Sequence, residues 1–175
     1  MSTSQIVWVA VGAALICWCV GAYNRLVRLR SAVVQRYTPI DEQVTRRHRL
    51  LRQQIDALEP VLLNAAPRLE LLRAACRQIE SACAHARQRP GAAGAVTSLR
   101  LAEGILGEAR ARLPVQSVAG VDLAALNAQI VESDTALGFA RNRFNAAATD
   151  YNLAIAQFPT RLVAGLFGFH LAGLL

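Results

Sequence analysis

From Leu123 to Phe158 apolar residues recur in steps of three and four: Leu123, Leu126, Ile130, Ser133, Leu137, Ala140, Phe144, Ala147, Tyr151, Ala154 and Phe158, with only Ser133 polar. That period keeps one stripe of a helix apolar and does not suit a strand, whose faces alternate every residue. Large side chains fill one set of positions (Leu123, Ile130, Leu137, Phe144, Tyr151, Phe158) and alanines much of the other. A partner helix therefore approaches closely and interleaves its own side chains. The spacing predicts one long helix, opening near Asp122 as N-cap after Gly120 and closing before Pro159.

Three further seams follow the same rule. The first is Leu26, Val33, Tyr37, Ile40, Val44, Leu51, Ile55, Leu58 and Leu62; its register survives Pro39, which favours a nearly continuous helix over a fresh start capped by Thr38. The second is Leu69, Leu72, Cys76, Ile79, Cys83 and Ala86, and the third Leu99, Ala102, Leu106, Ala109 and Leu113. Pro60, Pro67, the Arg89–Gly94 run and the stretch from Pro114 to Gly120 separate them.

Residues 1–24 carry no charge, and Ile6 to Ala22 is a run of seventeen apolar residues, at the short edge of the roughly 17–25 that a spanning helix needs. A cleaved signal peptide is the rival: Val20 and Ala22 suit a small-residue cleavage rule, but Met1–Gln5 lacks the basic residue such leaders carry. A single-pass helix is the favoured reading. Arg25, Arg28, Arg30 and Arg36 crowd its C-terminal flank, so the positive-inside rule places the N-terminus outside and the remainder in the cytoplasm, at the inner membrane. Trp8, Trp18 and Tyr23 fall near the two expected interfaces, as in an aromatic belt.

All nineteen basic charges are Arg, against twelve acids, for a net charge of +7. Such a balance points to nucleic acid or to an anionic membrane face. With 54% hydrophobic and only 18% charged residues, the chain is too apolar for a disordered basic tail and weakly charged for a soluble nucleic-acid binder. Residues 25–56 hold eight Arg and three acids immediately after the span, so lipid headgroups are the nearest partner for Arg25, Arg28 and Arg30, and no nucleic acid is expected. On a straight helix Arg46 to Arg52 stand about 30 Å or more from the span, beyond a Debye length. They answer to acids such as Glu132 and Asp134, to a protein partner, or to solvent.

Helix lengths then set a topology. The first helix beyond the span and the last are each roughly 50–60 Å long and the middle two nearer 30 Å. The expected fold is all-α: an N-terminal single-pass transmembrane helix continuing into an antiparallel, up-and-down helical bundle with two long and two short helices. Residues 1–24 form the tail and span, 25–160 the cytoplasmic bundle and 161–175 an apolar C-terminal segment. The last long helix returns toward the bilayer and brings Tyr151-Asn152 near Tyr23-Asn24. The terminal segment, too short to span, is either a helix tucked on the bundle or an interfacial foot or oligomer contact.

Two motifs in order carry a resemblance. Phe139-Ala-Arg141-Asn-Arg-Phe-Asn145, Tyr151-Asn152, Phe158-Pro159 and Gly165-Leu166-Phe167-Gly168-Phe169, with Tyr23-Asn24, Asp41 and Arg46-Arg47 upstream, resemble the LemA family at both ends of the chain. The resemblance implies a membrane-anchored antiparallel helical bundle without catalytic residues to carry over. The chain departs from that family's pattern at His48–Gln54, which lacks a Pro-Asn, in the stretch Pro114–Gly120, which lacks acids and Tyr-Pro, and after Phe169, where acids are missing.

The chemistry-bearing residues form no familiar constellation. Cys76 and Cys83 share a helix face but His85 points elsewhere, so core thiols are expected rather than metal ligands; Cys17 and Cys19 read as small apolar residues of the span. His48 sits among Arg46, Arg47, Arg49 and Arg52, which oppose its protonation, while His170 ends an apolar stretch. Asp41-Glu42 and Glu132/Asp134 read as surface or capping charges. No nucleophile motif, phosphate loop or carboxylate pair is present, so no catalytic, metal-binding or cofactor-binding residue is expected. The expected function is a non-catalytic, membrane-anchored scaffold or interaction platform, homo-oligomeric, with the lipid bilayer and an unidentified membrane or cytoplasmic protein as further partners. The alternative is an accessory or regulatory subunit of a membrane enzyme such as a protease.

Overall fold

The computed structural model describes residues 2–60, 66–112 and 123–175. Five helices follow one another: α1 (Thr3–Leu58), α2 (Ala66–Gln88), α3 (Ala93–Ala111), α4 (Ala124–Ala156) and α5 (Thr160–Leu166). The described residues contain no strand, only an isolated antiparallel bridge between Ala92 and Ala172. The all-α reading holds, and Leu62, Leu113, Asp122 and the stretch 114–120 lie outside the described residues.

α1 runs unbroken through Pro39 for 56 residues, about 84 Å. Gln5 accepts the Ser2 N–H at 3.1 Å, satisfying one of the donors that a helix start leaves open. The N-terminal part of α1 is long and apolar enough to cross a membrane and buries nothing within the protein. Ala22 is its first buried side chain, and from Leu26 onward one stripe turns inward: Leu26, Val33, Tyr37, Ile40, Val44, Leu51, Ile55 and Leu58.

α4 lies antiparallel along α1, the most extensive packing in the molecule. Gln54 pairs with Asn127 at one end, Ser133 donates to the Gln43 carbonyl in the middle, and the Tyr37 and Phe144 rings meet edge-on further down. α2 and α3 form a hairpin whose apolar faces, Leu69 to Ala86 and Ala95 to Ala109, are buried. α2 also touches α1, whereas among the described residues no Cα of α3 comes within 8 Å of α4.

Periodicity fails at one end of α4. Phe158, expected in the seam, is 81% exposed, because the helix stops at Ala156 and the chain turns away at Pro159. Leu126 and Ala147 are only half-buried, while Ala148 and Ile155 are buried instead. A straight helix drifts about 20° per heptad, which exchanges neighbours along a long stripe. The Phe158–Pro159 bond is cis.

The C-terminal segment is neither one helix nor a free end. α5 spans seven residues and ends in a Schellman turn, with Gly168 at φ 67 and the Phe169 N–H donating to the Ala164 carbonyl at 2.9 Å. The rest is extended and runs back over the bundle.

Candidate functional site

Two polar constructions are built onto this apolar frame. The first follows from the register of α1. Leu26, Val33 and Ile40 recur every seven residues on its buried stripe, and the next two positions are Arg47 and Gln54, buried at 5% and 4% exposure. Arginine keeps its charge in a protein, so a guanidinium at such a position must be paired to offset the cost of its burial. Arg47 Nη1 donates to Asp134 Oδ1 of α4 at 3.1 Å, and Nη2 to Glu103 of α3. Each carboxylate holds a second guanidinium: Glu103 binds Arg141 at 2.6 Å and Asp134 binds Arg110 at 2.8 Å. The resulting chain, Arg141–Glu103–Arg47–Asp134–Arg110, alternates in sign and fills the space between α3 and α4 where the backbones stay apart. Burial opposes the charged form of Arg47, but Glu103 and then Asp134 outweigh it, so its pKa is raised.

Two further arginines of the cluster, Arg46 and Arg52, face acids of the same chain, while Arg49 is exposed. Arg46 meets Glu132 at 3.1 Å in the open, and Arg52 lies 3.6 Å from Glu80. Asp41 of α1 receives both its bonds from Arg87 Nε of α2 at 2.8 Å, and Arg87 also donates to Thr45. His48 is mostly enclosed, with neither ring nitrogen hydrogen-bonded. Burial and then Arg52 push its pKa below the ordinary value, against the pull of Glu80. Cys76 and Cys83 are core thiols; burial pushes Cys83 up to about 12. Among the described residues no group of three or more His, Cys, Asp or Glu is placed to hold a metal.

The second construction docks the tail. Asn145 and Asn152 lie two turns apart on one face of α4. Asn152 accepts the Ala172 N–H at 2.8 Å and donates to the Ala172 carbonyl at 2.9 Å; Asn145 does the same for Leu175 at 2.9 and 2.7 Å. On the other side the Gly173 N–H donates to the Gly91 carbonyl at 2.9 Å. Gly91 has φ 85, and a Cβ there would stand 2.9 Å from Val33, so only glycine lets the α2–α3 turn come this close. A Cβ on Gly173 would meet Val96 at 2.8 Å.

The motif residues therefore fall into separate groups. Arg46, Arg47, Arg141 and Asp41 belong to the ion pairs. Asn145 and Asn152 hold the tail, and Tyr151 is buried beside them, its phenol pKa raised by burial. Phe167 and Phe169, set on either side of Gly168, both pack on Tyr23, with ring centroids 4.9 and 5.7 Å away. Gly165 and Leu166 are exposed on α5, as are Phe158 and Pro159 before it. Asn24, Arg25, Arg28 and Arg30 are exposed along α1, and Trp8 and Trp18 lie on its unburied part. The seven-residue register of α1 marks Gln54, like Arg47, as a polar residue on an apolar stripe, whereas Glu103, Arg110 and Asn127 carry no such mark in the sequence.

This geometry braces helices and a tail. Each acid of the central chain is engaged by two guanidiniums, an arrangement suited to fixing register and not to moving protons.

In comparisons with known proteins, the model described as "LemA family" matches residues 33–175, which include the ion-pair chain and the docked tail. No curated protein and no solved structure matches.

Proposed function

The chain belongs to the LemA family, and on that premise we propose that it is a membrane-anchored, non-catalytic helical platform at the inner membrane, with its N-terminus outside, its bundle in the cytoplasm, and copies of itself as first partners. LemA is not known as an enzyme family. The anchor reading is supported by the unburied apolar start of α1 and the arginines that follow it.

The observation that carries the platform reading is the outer face of α4. Phe139 is 71% exposed, with Val131 at 61% and Leu153 at 58%, on a helix whose other face packs on α1. Phe139 and Leu153 are two heptads apart and share a stripe, the pattern of a helix prepared for a second helix. The test is size measurement in mild detergent after purification from native membranes. A defined oligomer that dissociates on Phe139→Ser is the expected result. A monomer bound to a stoichiometric membrane enzyme would replace this reading with that of an accessory subunit.

A further inference from the structure

We propose that the corner between α4 and the end of α5 is an interfacial foot, which seats Phe158, Leu162, Leu166 and Phe167 in the anionic headgroup layer beside the point where α1 enters the bilayer. This rests on the anchored reading above and adds a second, peripheral membrane contact to it.

The level of the foot follows from Tyr23. It lies one residue beyond the apolar run of α1, and its ring touches Phe167 and Phe169 at 4.9 and 5.7 Å, so the end of α5 stands where the span leaves the bundle. α5 turns Thr160, Val163 and Ala164 inward. Its other side is not the polar face that water would select: Leu162 is 64% exposed, Leu166 80%, and Phe158 just before it 81%.

Two features identify lipid as the occupant. An open apolar crevice of about 310 Å³, lined by Leu15, Ile16, Cys19, Val20, Tyr23 and Phe167, makes the foot continuous with the unburied apolar part of α1. Charge agrees: all twelve acids lie between Asp41 and Asp150, so the segments that build this end, up to Ile40 and from Tyr151 onward, carry no acid. They carry Arg25, Arg28, Arg30, Arg36 and Arg161, all exposed. An apolar corner built by segments that carry arginine and no acidic side chain matches an anionic leaflet, whereas the rest of the chain carries both signs.

The test uses the full chain in vesicles of phosphatidylglycerol and phosphatidylcholine brominated near the headgroup end of their acyl chains. With Trp8→Phe and Trp18→Phe as background, Leu166→Trp gives one reporter on the foot, and Leu101→Trp one on exposed α3, level with the ion-pair chain. Both sites are open, so folding is retained and is checked by circular dichroism. The expected result is several-fold stronger quenching of the Leu166→Trp protein than of the Leu101→Trp protein. Equal, weak quenching in protein that floats with the vesicles overturns the foot while leaving the anchor intact. Protein that does not float overturns both. Quenching that disappears as protein is concentrated in the bilayer assigns the face to a second copy and overturns the lipid assignment.

Discussion

The side-chain amide of Asn152 and the backbone of Ala172 form a closed two-bond ring, the carboxamide taking the place of a neighbouring strand. Asn145 repeats it with Leu175 seven residues earlier on α4 and three residues later in the tail. The spacing matches physically: seven helical residues rise about 10.5 Å and three extended residues about 10 Å. Asn152→Ala removes both bonds and strands the Ala172 N–H and C=O, at a cost of about 1–3 kcal/mol. Asn152→Asp keeps an acceptor but turns a carboxylate oxygen toward the carbonyl, and is expected to free the tail as well. Amide hydrogen exchange at Ala172 and Gly173 reads both; unchanged protection would contradict the clamp.

The arginine pairs separate by burial. Arg46 and Glu132 are exposed, and Arg46→Ala is expected to change stability by less than about 1 kcal/mol. Arg47 is buried, and its loss removes a guanidinium from Glu103, which is largely buried, and from Asp134, which is one-third exposed. A fully buried broken pair costs about 3–5 kcal/mol; because Arg141 and Arg110 still hold the two acids, about 2–3 kcal/mol is expected for Arg47→Ala. Urea midpoints of the two variants at equal protein concentration check the ordering.

Two phenylalanines five residues apart on α4 are expected to behave oppositely. Phe144 is fully buried against Tyr37, so Phe144→Ala should cost about 3–5 kcal/mol. Phe139 is open, and Phe139→Ser is expected to leave the melting of the isolated protomer near the parent value while reducing oligomer size. Thermal unfolding with light scattering on the same samples separates the effects.

His48 supplies a pH dependence. Its pKa is lowered on folding, first by burial and then by Arg52, so below the ordinary histidine value the unfolded chain takes up a proton that the folded chain resists. Stability is fully present above pH ~6.5 and falls as pH drops through the folded pKa. His48→Leu should flatten the loss of melting temperature between pH 7.5 and pH 5; a parallel curve would show that other groups govern it.

The core thiols should be silent. Cys76 and Cys83 are 2% and 3% exposed and burial raises both pKa values, so the reactive thiolate is scarce and shielded. Maleimide modification of these two is expected only after unfolding, as mass spectrometry of the labelled peptides would show.

What the sequence determined alone is whatever depends on local repetition. The helix seams of α1, α2 and α3, the passage of α1 through Pro39, the stop before Pro159 and the apolar start of α1 were legible because each is a periodic or compositional property of a contiguous stretch. The family motif was legible in the same way, as residue order. The tertiary structure decided the pairings: that Arg47 meets Glu103 as well as Asp134, that Asp41 is held by Arg87, that Asn145 and Asn152 grip Leu175 and Ala172, and that Phe158 leaves the seam. Burial is repeated along a helix and so prints a pattern. A hydrogen bond or ion pair between distant residues is made once, between groups whose separation only the folded chain sets.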